Sequence, residues 1–310
     1  MRTELSDEAV EYGRVARQAL AAAGGDRLVQ DAEADPGTRA GVADLLATIG
    51  AWDLDPRGSV DELEAAAALC HAAGWWAAPY PVAERLARPA DADGLVVVDT
   101  NAPAARLAHL PDARWAAVGL GGFRYVATPR APAASPRKSG FVVDLDLDRA
   151  GGDADLALGL VLPCWTLLGM LDRAVDLTCG YVVEREQFGQ VLASFQGVQF
   201  QLTEAEVERI GVEELAKYAL WSLTARPDEA VADALALRLA AIEAAEVVFR
   251  VTHQLHGAIG FCDETVLSWL SRHSQPLRRL PLGVSATRAA LTQRIGRRGL
   301  AGLFDPAGAA

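Results

Sequence analysis

Sixteen consecutive residues, Leu156–Leu171, carry no charge and lie between Asp155 and Asp172. A segment this apolar on every side has to be enclosed by other parts of the chain. It holds Pro163 and Thr166 and falls short of the ~18 apolar residues expected of a bilayer span, so it predicts a buried helix and no membrane crossing. The rest of the chain has the material to enclose it: 310 residues, 51% hydrophobic and 23% charged. That length allows two or three packed units, and the composition excludes disorder for the bulk of the chain.

Around this segment the pattern changes twice. Apolar residues at three- and four-residue spacing predict helices over Glu8–Ala23, Thr38–Ile49 and Val60–Ala73, with a short one over Val82–Leu86. Gly74-Trp75-Trp76 reads as a break. Short β-leaning runs follow at Leu95–Val98, Trp115–Val118, Phe123–Ala127 and Phe141–Leu147, with a proline-bearing exposed loop at 128–140. Gly119-Leu120-Gly121-Gly122 reads as a β-turn, because no helix follows it as a dinucleotide-binding turn requires. Long helices then return over Asp155–Glu184, Phe195–Thr224, Asp228–Leu255 and Val284–Gly299, with a shorter one near Glu264–His273. Short breaks between long helices predict an antiparallel bundle. The fold class expected is α+β, mostly α: an N-terminal helical domain (1–88), a reduced β-domain (89–152), a C-terminal helical bundle (153–303) and a tail (304–310).

Charge removes other classes. With 29 basic against 41 acidic side chains, net −12, the chain has the wrong sign for gripping nucleic acid. Met1 is followed by charged residues rather than an apolar signal region, and the four cysteines form no CxxC, so a cytoplasmic protein with reduced thiols is expected. His253 and His256 could pair on a metal, but no third ligand stands at a suitable spacing, so no metal site is expected. Residues 265–304 contain no acid but hold His273 and seven arginines: 272, 278, 279, 288, 294, 297 and 298. They are either a solvated face or a contact surface for an acidic partner or for phosphates.

Two strings carry chemistry. The first runs Arg185-Glu186-Gln187-Phe188-Gly189-Gln190, continuing to Phe195-Gln196-Gly197; the second is His253-Gln254-Leu255-His256-Gly257-Ala258-Ile259-Gly260. An arginine where one helix ends and another soon begins can aim a guanidinium at a diphosphate. A glycine turn lets backbone approach a ligand, and Gln196 and Gln254 supply amide donors and acceptors. Singly, each has a plainer reading: an Arg185–Glu186 helix-end ion pair, Phe188 as core, Gly257–Gly260 as a helix cap.

Together, in this order and spacing, the strings resemble the acyl-CoA dehydrogenase family, whose pattern is R-x-x-F-G, then a glutamine after an aromatic, then Q-x-H-G-G-x-G. Ala258 replaces the second glycine of the last element. The resemblance implies a helix–sheet–helix fold and FAD as cofactor. It also implies that Arg185, Gln187, Phe188, Gln196, Gln254, Gly257 and Ala258 hold the adenosine diphosphate half of FAD for a neighbouring subunit. It fails at the catalytic base. The family places a glutamate in one of two positions, which here fall at Pro281 and Gly159, with no acid near either. The family's middle-domain landmarks are missing as well.

The resemblance therefore implies a subunit of a heteromeric, FAD-dependent acyl-CoA dehydrogenase that desaturates an acyl-CoA thioester, a steroid side-chain CoA ester being one candidate substrate. Its partner would be a longer acyl-CoA dehydrogenase homologue in an α2β2 assembly that supplies the base. An electron-transfer flavoprotein is a candidate second partner. Two alternatives stay open: a self-sufficient enzyme with Asp155 or Glu264 as base, and a non-catalytic helical scaffold without FAD.

Overall fold

The computed structural model describes residues 4–110, 113–130, 140–152 and 154–296. The expected tail at 304–310, Arg297 and Arg298, and most of the loop expected at 128–140 lie outside the described residues.

Polar caps set where the first helices begin. The Ala9 N–H donates to Ser6 Oγ at the start of α1 (Asp7–Ala22), and the Glu62 N–H donates to Ser59 Oγ at the start of α4 (Val60–Trp75). Between them lie α2 (Leu28–Ala34) and α3 (Thr38–Ala47), and α5 (Val82–Leu86) follows. The sequence reading missed α2, a seven-residue helix fenced by glycine and proline breaks. It also ended the fourth helix too early, because Gly74 is a packing glycine inside α4.

Five strands follow: β1 (Gly94–Val98), β2 (Ala104–Ala105), β3 (Trp115–Gly119), β4 (Arg124–Pro129) and β5 (Val143–Arg149). They form one sheet in the order β1-β3-β4-β5-β2, with β1 parallel to β3 and the other pairs antiparallel. Alternation assigns the two faces. Leu95, Val97, Ala116 and Val118 join the main helical core, whereas Val96, Val98, Trp115 and Ala117 pack into a second cluster with Val143 and Leu145. Strand β2 is two residues long and gave no periodic signal.

The second half is a helical bundle: α6 (Leu156–Glu184), α7 (Gln196–Ala225), α8 (Ala230–His256), α9 (Val266–Arg279) and α10 (Val284–Ile295). A two-residue hairpin, β6 (Glu186–Gln187) and β7 (Gln190–Val191), joins α6 to α7 where the sequence suggested a plain break. Helix α6 has 29 residues and, by length and composition, could cross a membrane, but 72% of its most apolar stretch is buried inside the protein. It is enclosed by α4, α7, α8, α9 and β1.

Two glycines allow the closest of these approaches. A Cβ on Gly74 of α4 would stand 1.9 Å from the Thr166 carbonyl oxygen, and one on Gly169 of α6 would stand 2.1 Å from the His71 carbonyl oxygen. Both obstacles are backbone, so neither can turn aside. We predict that Gly169→Ala costs at least about 1–3 kcal/mol through overpacking. Gly180→Ala on the same helix, where nothing lies within 4 Å, should instead gain up to about 1 kcal/mol from helix propensity. Urea unfolding of the two variants checks the contrast.

Candidate functional site

At the C-terminal end of α6 the chain reverses through the hairpin. Its turn requires Phe188 at φ 55° and Gly189 at φ 82°, and Leu192 N–H donates to Arg185 O at 2.8 Å to close it. Phe188 is thrown outward, 91% exposed, touching Phe195 edge-on at 6.3 Å. Phe188 is therefore not core. The hairpin delivers the chain to Gln196, the first residue of α7, a helix that starts with no side-chain cap and no acid in its first turn. Its N–H groups and dipole favour an anion there.

Helix α8 ends beside this point. Tyr181, one turn before Arg185, stacks on His256 at 4.4 Å, and its hydroxyl donates to the His256 carbonyl at 3.5 Å. His253 stacks on Phe261 at 4.3 Å across the 3-10 turn Gly257–Phe261. Burial lowers the pKa of both histidines, favouring neutral rings that pack. Gly257, at φ 66°, caps α8, so its plainer reading is correct as far as it goes. The ends of α6 and α8 and the start of α7 thus converge.

All seven residues expected to hold adenosine diphosphate are solvent-exposed at this end of the bundle. Arg185 makes no ion pair with Glu186, and the side chains of Arg185, Gln187, Gln196 and Gln254 have no hydrogen-bond partner among the described residues. A free guanidinium, free amides, an uncapped helix start and a glycine turn fit a diphosphate. They lie on an exposed surface. Exposed apolar side chains lie on the same elements: Val183, Phe200, Val207, Ile259 and Phe261, each at least 46% exposed.

The two base positions also meet, on the far side of α6. Gly159 and Pro281 line one cavity of only about 40 Å³, between β1, α5, α6, α8 and α9. Gly159 is crowded by a side chain of β1, and Pro281 is held in place from α8. A Cβ on Gly159 would stand 2.9 Å from Val97 Cγ2, and Pro281 sits in a connection held by Arg238, whose Nη2 donates to the carbonyls of Leu280 (2.5 Å) and Leu282 (2.8 Å). Ligand pockets usually measure about 300–1,000 Å³, so this cavity cannot take a flavin ring beside a thioester.

Asp155 and Glu264 are elsewhere. Asp155 caps α6, its Oδ1 accepting from Leu158 N–H at 2.9 Å, and its Oδ2 lies 3.6 Å from Arg57 Nε. Glu264 is exposed between the 3-10 turn and α9. The carboxylate that does line the cavity is Glu84, on α5, which the sequence reading missed. A five-residue helix has too few positions to reveal which face it buries. The arginines of α9 and α10 do not form one solvated face: Arg272 pairs with Asp263, Arg288 with Glu243, and Arg278 stacks on Phe249, while His273 is 1% exposed.

Comparison with known proteins agrees with this geometry. Residues 156–294 match the family profile described as acyl-CoA dehydrogenase, C-terminal domain. A curated relative, acyl-CoA dehydrogenase FadE28 of Mycobacterium tuberculosis (strain ATCC 25618 / H37Rv), is 34% identical over 92 residues, which are 30% of this chain and 27% of the relative. The chain spans about a quarter of the length of the curated relatives it matches. Solved structures align over nearly the whole chain. The ChsE4-ChsE5 complex from Mycobacterium tuberculosis gives a TM-score of 0.73 at 18% identity, covering 96% of this chain and 98% of that one. A variant of the Tcur3481-Tcur3483 steroid ACAD gives 0.70 at 19%, covering 95% and 99%. At such identities these structures establish the fold, which is that of the acyl-CoA dehydrogenases.

The filled slot makes a direct prediction. Gly159→Glu should not install a base. It should lower stability by about 1–3 kcal/mol or more, because the new side chain must push aside Val97 and bury a carboxyl. Thermal unfolding of the variant checks this.

Proposed function

Taking as premise that residues 156–294 belong to the acyl-CoA dehydrogenase C-terminal domain family, we propose that this chain is the cofactor-completing subunit of a heteromeric acyl-CoA dehydrogenase. The observation that carries the reading is a contrast within one bundle. The groups assigned to the diphosphate stand exposed at one end, while the two positions at which the family carries its base, Gly159 and Pro281, hold no acid and line a cavity of about 40 Å³.

In this reading Arg185 pairs with the diphosphate, Gln196 and Gln254 hydrogen-bond to the adenosine diphosphate moiety, and Gly257 and Ala258 let backbone lie close against it. Gln187 and Phe188 on the hairpin reach toward the partner, and the exposed side chains of Val183, Phe200, Val207, Ile259 and Phe261 supply the apolar contact area. FAD, when bound, supplies the acceptor for the substrate's β-hydride. The α-proton is assigned to a carboxylate of the longer partner, since neither base position here holds one. The partner is a longer acyl-CoA dehydrogenase homologue in an α2β2 assembly, and an electron-transfer flavoprotein is the proposed acceptor. A CoA ester of a steroid side chain is the proposed substrate; the fold match to a steroid ACAD supports that choice. The proposed setting is cytoplasmic.

Arg185→Ala should strip FAD from the reconstituted complex without unfolding it, losing a charge-assisted contact of roughly 1.5–3 kcal/mol, or about 10- to 100-fold in affinity. Arg185→Lys should recover only part, because a point charge cannot reproduce the guanidinium fork. Flavin occupancy after dilution reads both, and full occupancy in the alanine variant would remove the assignment.

Asp155→Asn and Glu264→Gln should leave acyl-CoA-dependent reduction of an artificial electron acceptor within a few-fold of wild type, against the roughly 10²–10⁴-fold loss expected for a true base. Asn remains a good cap for α6, so the fold is not at risk. Loss of turnover with FAD retained would instead establish a self-sufficient enzyme.

A further inference from the structure

The small cavity under the vacant base positions is not simply filled in. Its wall holds three charged side chains, Glu84, Arg106 and Arg238. Arg106 is 6% exposed and Arg238 3%. A guanidinium has five N–H donors, and a buried one needs partners for them. Arg238 finds three carbonyls, those of Leu277, Leu280 and Leu282. Among the described residues Arg106 finds one, donating from Nε to Gly140 O at a long 3.4 Å, and its buried Nη2 has no partner there. Arg39, 0% exposed, donates to the Arg106 carbonyl and adds a third positive charge close by. Glu84 on the cavity wall and Glu33 beside Arg39 thus stand against three buried guanidinium groups.

We propose that this cavity binds one small monoanion of formate size, held by the guanidinium fork of Arg106 and the positive charge of Arg238. The volume of about 40 Å³ suits such a ligand: a water needs roughly 10–15 Å³, so the space takes two or three oxygen-sized atoms. The planar fork of arginine matches a carboxylate with two parallel N–H···O bonds. An anion here offsets the cost of burying an unneutralised guanidinium. It also ties the β2 end of the sheet to α5, α8 and the α9–α10 connection. The site stands independently of where FAD binds.

Glu84 decides the pH dependence. Burial pushes its carboxyl up, with Arg106 and Arg39 pulling the other way. The groups around it are Arg39 from α3, Cys70 from α4, Arg106 after β2 and Arg238 from α8. From β1, α6 and α9 the cavity wall is uncharged, with Val96, Val97, Gly159, Leu160, Pro276 and Leu277. Once protonated, Glu84 donates a hydrogen bond to the anion rather than repelling it. Binding therefore tightens as pH falls through the Glu84 titration.

Thermal unfolding of the full chain, titrated with sodium formate or sodium bromide at constant ionic strength, tests the proposal. Both anions should give a saturable rise in Tm that sulfate, too large for the cavity, does not. Arg106→Gln should weaken formate binding at least tenfold. Glu84→Gln should keep the affinity and abolish its pH dependence. Because Arg106→Gln can fail to fold, a bromide-soaked crystal of the wild-type chain gives an independent reading, expected to show an anomalous peak within hydrogen-bond distance of Arg106. An equal response to sulfate, an unchanged Arg106→Gln titration, or a cavity holding water only would overturn it.

Discussion

Everything in this fold is arranged around one buried helix that neighbours approach at backbone distance. Helix α6 meets α4 where Gly74 lies against the Thr166 main chain and Gly169 against that of His71, and it meets β1 at Gly159. At the α4–α6 contact the obstacles are main-chain atoms, so no side chain there can turn aside, whereas at β1 the contact is made by the side chains of Val97 and Leu95. A side chain at Gly159 would in turn crowd Val97 of β1.

Buried arginines then tie the sheet and the later helices to that core. Arg39 donates to the carbonyls of Pro79, Arg106 and Ala108 and lies 4.1 Å over the Phe141 ring, and burial lowers its pKa to about 9. Arg238 closes the end of α9 through three carbonyls. Such groups are costly to bury, and removing the partners of a buried charge typically costs about 3–5 kcal/mol. They fix geometry more than they add net stability. His273, packed between Phe141 and Trp269 and 3.2 Å from Glu33, joins α9 to α2 in the same manner.

Much of this was legible in the sequence wherever a long period or a specific string carried it. The uncharged stretch from Leu156 did become the buried helix, and the two strings from Arg185 and His253 did converge at one end of the bundle. What stayed hidden depended on contacts distant in sequence or on special backbone. Gly74 reads as a helix breaker until α6 is seen against it. The hairpin needs Phe188, a residue with a Cβ, in the left-handed region, which no propensity anticipates. Helix α9 runs on to Arg279 past Pro276, because Arg238 satisfies carbonyls at its end. Glu84 faces the cavity only because α5 docks between β1 and α6.

The central claim is that this chain carries half of a FAD site and lacks the other half. The flavin content of the chain purified alone, set against that of the complex with its longer homologue, tests it most directly. The account predicts little or no flavin absorbance in the single chain and bound FAD in the complex. One FAD per chain in the isolated protein would contradict it.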